Sequence, residues 1–220
     1  MRTRTCIRAG QLRAKPLITD FDNSQLRLFL IRHGETEWSV SGRHTGRTEI
    51  SLTQRGEEQA RRLGELLEQY SFAHVFCSPR LRARRTCELA GLAVAAEIRN
   101  DLAEWDYGNY EGRRTSEIVL EQPRWNLWSD GCPGGETPLE VSARADRVIS
   151  DLFSLSGNVA LFSHGHFSCA LATRWIGQPL MLGQHLVLDP ASLGILGHPA
   201  RHPEIQAIVQ WNTSIAPGSA

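Results

Sequence analysis

The chain has 220 residues, 41% of them apolar, with 24 lysines and arginines against 24 aspartates and glutamates. That length and composition suit one globular domain with a sizeable core, and the balanced charge removes any global electrostatic case for nucleic acid or an acidic membrane surface as partner. No apolar run approaches the ~20 residues that span a bilayer, and the cysteines (Cys6, Cys77, Cys87, Cys132, Cys169) lack CxxC spacing, which points to a reducing cytosol and no structural zinc.

Residues 1–25 are basic up to the first acid, Asp20, and lack the apolar stretch of a secretory signal. A disordered extension ahead of a domain at 26–215 is preferred over an organelle transit peptide. From Leu26 onward short apolar runs alternate with helical patterns. "LRLFLI" (26–31) reads as a strand and "TQRGEEQARRLGELLEQY" (53–70) as an amphipathic helix. "HVFCS" (74–78) is the next strand and "LRARRTCELAGL" (81–92) the next helix. A weak strand around "VAAEI" (94–98) precedes a Trp-rich segment from Trp105 to Trp128, and "DGCPGGETP" reads as a long loop within the domain. The helix "PLEVSARADRVISDLFS" (138–154) has a marked start, with Thr137 as N-cap, Pro138 at its first position and Glu140 completing a capping box. "VALFS" (159–163) is a buried strand, residues 167–175 form a helix, and "SLGIL" and "IQAIVQW" supply two more strands. This alternation predicts an α/β fold: a single-domain three-layer sandwich, its mainly parallel sheet flanked by helices on both faces.

Ligands of such sheets bind outside the carboxyl ends of the strands. Arg32 and His33 follow the first predicted strand; "SPRLRARRT", with Arg80, Arg82, Arg84 and Arg85, follows the second; "LAEWDYG", with Glu104, follows the third; "SHGH", with His164, follows the fourth. Each alone has a commoner reading, as a surface histidine, a solvated arginine face or a polar turn. Their agreement at four strand ends carries the inference. Phosphoryl transfer wants this set: forked arginines match the equatorial oxygens, a neutral imidazole attacks, and a nearby acid protonates the leaving oxygen and later takes a proton from water. Glu104 is the carboxylate suited to that task. Gly34 would let backbone approach an anion unobstructed, and clustered positive charge would keep His33 neutral.

"LIRHGETEW" (30–38) resembles the signature of the histidine phosphatase superfamily, which includes cofactor-dependent phosphoglycerate mutases and many small phosphatases. "SPRLRARRT", "LAEWDYGNYEG" and "FSHGH" resemble its other landmarks in the same order, over about Leu26 to Asn212. The resemblance implies that His33 is the phosphorylated nucleophile, Arg32 and Arg82 its phosphate ligands, Glu104 the proton donor and His164 the second histidine contacting the phosphoryl oxygens. Thr45 and Gly46 resemble the loop that closes on substrate. Ser39 stands where the family's mutases usually carry asparagine, and Tyr107 joins the substrate-binding set. Neither metal nor cofactor is implied.

The favoured reading is a metal-independent, cytoplasmic phosphomonoester hydrolase that works through phosphohistidine on a small phosphorylated metabolite, with no nucleic acid or membrane partner and homo-oligomerisation left open. "WNLWSDGCPGGET" and "GRHTGRTEISLT" resemble a sugar-bisphosphatase branch such as sedoheptulose-1,7-bisphosphatase. A phosphoglycerate mutase is the main alternative: Thr115 stands where a mutase lysine is expected, and Arg113, Arg114 and Arg124 would have to compensate. A non-catalytic module binding through exposed Trp105, Trp125 and Trp128 is the alternative of another class. A metal hydrolase using His33, His164 and His166 lacks a second carboxylate ligand, and the nucleotide-loop and GxSxG signatures are absent.

Overall fold

The four central residues of the first strand, β1 (Arg27–Arg32), are all buried and alternate between faces, so that Leu28 and Leu30 enter one core and Phe29 and Ile31 the other. The computed structural model describes residues 25–214. The expected extension lies outside these residues except for Gln25. After β1 come α1 (Glu37–Ser41), α2 (Gln54–Leu67), β2 (His74–Cys77), α3 (Leu81–Leu89), β3 (Ala96–Ile98), α4 (Thr115–Glu121) and α5 (Leu127–Asp130). The chain continues through α6 (Pro138–Leu152), β4 (Asn158–Ser163), α7 (Gly165–Trp175), β5 (Leu193–Gly197) and β6 (Ala207–Thr213).

The six strands lie in the order β3-β2-β4-β1-β5-β6. β1, β2, β3 and β4 pair in parallel, whereas β5 runs antiparallel to both β1 and β6. The sheet is therefore mainly parallel, with one reversed strand. On one face α6, α7 and the Trp-rich segment cover Leu28, Leu30, Val159 and Leu161; on the other, α2 and α3 cover Phe29, Ile31, Ala160 and Phe162. The helices earn these positions by spacing. α2 buries Gly56, Ala60, Leu63, Gly64 and Leu67, a stripe at intervals of three and four. α6 begins with the expected capping box of Thr137 and Glu140, with Pro138 in its first turn.

The Trp-rich segment is not an exposed anchor. Trp105, Trp125 and Trp128 are all buried, and Trp105 meets Trp128 edge-on at 5.6 Å. Their indole N–H groups bear this out where they are bonded: Trp105 donates to Glu136 O and Trp125 to Gly131 O, both at 2.9 Å. This corrects the binding-module expectation, because the apolar area it needs is spent on the domain's own core.

Candidate active site

Register brings the two histidines together. Arg32 pairs with Ser163 across β1 and β4, so His33 and His164 leave the sheet side by side, their ring centroids 5.3 Å apart. On the other flank of β4, Cys77 pairs with Phe162, which sets Ser78 Oγ 2.7 Å from His164 Nε2. Ser78 Oγ already accepts the Arg80 N–H at 3.3 Å. Its own hydrogen can then go to His164 Nε2, leaving the imidazole hydrogen on Nδ1, a buried atom without a protein partner.

His33 Nδ1 donates to Gly34 O at 2.8 Å. A carbonyl only accepts, so Nδ1 carries the hydrogen and the neutral ring keeps its lone pair on Nε2. Burial, then Arg82 and Arg32, hold His33 well below the usual histidine value. Burial and Arg82 do the same for His164, with His33 contributing. The direction matches the expectation from clustered charge, but desolvation is the larger cause.

Gly34 serves a different purpose from the one expected. A Cβ there would lie 2.4 Å from Gly56 O, and one on Gly56 would lie 2.1 Å from Glu35 O. The loop is pressed against α2, and that contact, rather than an approaching anion, excludes a side chain. Gly165 is the glycine packed on Arg32: a Cβ there would meet Arg32 Cζ at 3.3 Å. Arg32 Nη1 donates to Leu188 O at 2.6 Å, while its buried Nε has no protein partner.

Arg82 is wholly buried and clasps the loop that follows α1. Its Nη2 donates to Thr45 O (2.8 Å) and Gly46 O (3.1 Å), its Nη1 to Thr48 O (3.1 Å), and its Nε is left without a partner. Neighbouring arginines are ion-paired, Arg80 with Glu49 and Arg85 with Glu57 and Glu88. The Glu104 carboxylate sits at the start of α7. Its Oε1 accepts the N–H groups of Trp105 (2.9 Å) and Phe167 (2.8 Å), and its Oε2 accepts that of His166 (3.1 Å). A helix N-terminus is a natural seat for an anion.

A cleft of about 310 Å³ is lined by Arg32, His33 and Glu104 together with Ser39, Thr45 and Tyr107. Gly46 is not on that lining; it is buried, and its N–H is held by Glu111. The Ser39 hydroxyl donates to Thr36 O at 2.8 Å and accepts the Thr36 N–H, so it closes the capping box of α1. Thr45 Oγ1 donates to Arg43 O at 3.1 Å.

Sequence reasoning passed over several residues on this lining. His44 packs on Tyr107 with ring centroids 4.7 Å apart, and its Nε2 lies 3.3 Å from Thr115 Oγ1. Burial, with a contribution from His166, brings His44 down to about 4. Tyr107 OH lies 2.6 Å from His166 Nδ1, and burial pushes the Tyr107 phenol well above its usual value. Arg43 and the apolar run Leu186–Leu188 complete the wall. Arg43 and His44 stand within "GRHTGRTEISLT" and His166 within "FSHGH", whereas Leu186–Leu188 belong to no motif. Among the described residues no three of His, Cys, Asp and Glu are grouped to hold a metal ion.

The family model of the histidine phosphatase superfamily (branch 1) matches residues 28–212, and the chain belongs to that superfamily. It is 45% identical over 198 residues to an acid phosphatase of Mycobacterium tuberculosis, covering 87% of this chain and 97% of that one. It is 37% identical over 183 residues to sedoheptulose 1,7-bisphosphatase of Saccharomyces cerevisiae, covering 69% and 68% respectively. A solved structure of a Mycobacterium tuberculosis open reading frame superposes with a TM-score of 0.80 at 42% identity, over 86% of this chain and 97% of its own. The protein is accordingly a phosphatase of α/β architecture. No helix among the described residues is long and apolar enough to cross a membrane.

Proposed function

We propose that the protein hydrolyses the phosphate monoester of a small cytoplasmic metabolite through a phosphohistidine on His33. One observation carries this reading: the Nδ1 hydrogen of His33 is spent on Gly34 O, so the lone pair of a ring kept neutral belongs to Nε2. Nε2 attacks phosphorus as the ester P–O bond breaks, and Glu104, which has to enter this step as the carboxylic acid against the pull of the three N–H groups on its oxygens, gives its proton to the departing oxygen. The open donors Arg32 Nε, Arg82 Nε and His164 Nδ1 are suited to the phosphoryl oxygens, whose charge peaks in transit. Glu104 then takes a proton from water, the hydroxide attacks phosphorus, the P–N bond breaks, and His33 returns to its starting tautomer.

For the alcohol portion, a sugar phosphate or bisphosphate is favoured. His44, Tyr107, Thr115 and His166 offer uncharged polar groups on the cleft lining, and Arg43, with Nη1 on Gly112 O, adds a cation for a second anionic group. The similarity to a sugar bisphosphatase supports the same choice. A mutase fits less well. Arg113 is paired with Glu121, and Arg114 is spent on Ser41 O and Glu117, so neither is free to compensate for the lysine that Thr115 replaces. Rapid quench with phosphate-labelled sugar bisphosphate is expected to trap an acid-labile, base-stable label on His33, lost in His33→Ala. Label on a serine or cysteine defeats the mechanism. Isomerised phosphoglycerate in place of released phosphate defeats the hydrolase reading.

A further inference from the structure

Arg144 lies on the inward face of α6, between Val141 and Ala145, and is buried. It spends all five of its N–H groups. Nε and Nη2 donate to the two oxygens of Glu136 at 2.8 and 2.7 Å. Nη1 donates to the carbonyls of Asp101 (2.9 Å) and Ala103 (2.7 Å), and Nη2 reaches Glu104 O at 3.4 Å. The same guanidinium stands 4.0 Å over the ring of Phe167, whose N–H holds Glu104 Oε1. Arg144 thus fixes both the backbone from which the Glu104 carboxylate hangs and the residue that receives it.

Glu136 secures the other side of the same loop. Its Oε2 accepts the Asp106 N–H, its carbonyl accepts Trp105 Nε1–H, and its N–H donates to Asp106 O, each at 2.9 Å. The carboxylate of Asp106 is itself ion-paired with Arg47. Residues 101–106 are therefore bracketed by one ion pair, buried Arg144 of α6 with half-buried Glu136 in the turn before it.

We infer that the Arg144–Glu136 pair is a positioning device for proton transfer, holding the Glu104 carboxylate where it meets the leaving oxygen. This rests on Glu104 being the proton donor. Proton transfer needs the two oxygens within hydrogen-bond reach, and displacement by about 1 Å is enough to cost roughly 10²-fold in rate. Lysine cannot replace the arginine, since three donors on a point charge cannot serve a carboxylate and three carbonyls arranged around a planar fork.

The test is single-turnover phosphoenzyme formation from two esters, glycerol 3-phosphate, whose leaving alkoxide needs a proton, and p-nitrophenyl phosphate, whose leaving group does not. The ratio of the two rates on one preparation is independent of the fraction folded, so partial unfolding of a variant does not enter it. Arg144→Lys and Glu136→Gln are each expected to lower the ratio of glycerol ester to nitrophenyl ester about 10-fold, and Glu104→Gln about 10²-fold. In the Glu104→Gln background, adding either substitution is expected to change the ratio less than about 2-fold, because the proton they position is already gone. A ratio preserved in both single variants overturns the inference, as does a drop of equal size in the Glu104→Gln background. The Glu104→Gln arm reads the acid assignment by itself: a ratio at the wild-type value there refutes that assignment and the positioning role with it.

Discussion

Replacing His44 with glutamine tests whether a neutral imidazole is built into the wall of the cleft. In the unfolded chain this histidine takes up a proton as the pH falls below its ordinary value of 6.5, whereas in the folded protein burial, with a contribution from His166, delays that step to about 4. Between the two values the unfolded state binds the extra proton, so acid favours unfolding and stability rises with pH. At about 1.4 kcal/mol for each pH unit, the gap from 6.5 to about 4 corresponds to a loss of up to about 3 kcal/mol. Glutamine keeps a polar group near Thr115 Oγ1 and cannot titrate. Urea unfolding at about pH 7 and about pH 4.5, at matched ionic strength, should show the wild type losing roughly 2–3 kcal/mol more than His44→Gln over that interval. The fixed cost of the substitution cancels in the difference, as do the titrations of His33 and His164; His166, which couples to His44, adds to the difference. Parallel losses in the two proteins would refute the argument.

Three further outcomes are expected. Because His33 is held well below 6.5, phosphoenzyme formation should keep its rate through the pH at which an ordinary histidine protonates, and its acid limb should appear only below that; a stopped-flow pH profile falling through 6.5 would contradict it. On the proposed mechanism Arg32 and Arg82 supply the charge that a metal supplies elsewhere, so activity should survive EDTA, and loss on chelation with recovery on adding a divalent ion would revive metal chemistry. Gly34→Ala should destabilise the fold by about 1–3 kcal/mol or more, because its Cβ lies 2.4 Å from a backbone oxygen of α2; an unchanged thermal midpoint would show that the loop yields easily.

The residues at the strand ends could be read from the chain because each strand that delivers one is a short apolar run stopped by polar residues. The pairing of Arg32 with Ser163, which sets the histidines side by side, could not. Parallel register depends on contacts far apart in sequence, and local pattern does not record it. β3 is shorter than its apolar run because Ala93–Ala95 turn as a 3₁₀ segment. α1 and α5 have no apolar period and are held by caps, Thr36 and Asn126. The reversed direction of β5 lies in its antiparallel pairing with β1, a contact distant in sequence that no local signal records. Arg144 was hidden for a related reason. An arginine in a helix ordinarily reads as solvated, and only the placement of Glu136 beside it makes the inward position tolerable.

His164 caps α7, and the next two N–H groups after Gly165, those of His166 and Phe167, hold Glu104. On the proposed mechanism the group that meets the phosphoryl oxygens and the seat of the proton donor are therefore both at one helix end, whereas His33 follows β1. A small slide of α7 would move the His164 ring and draw the Glu104 carboxylate with it, while Arg144 of α6 keeps the Glu104 backbone in place. Transplanting this arrangement into another parallel sheet would accordingly demand two accurate joints, one between the β1 end and the α7 start and one between α6 and the loop that carries Glu104.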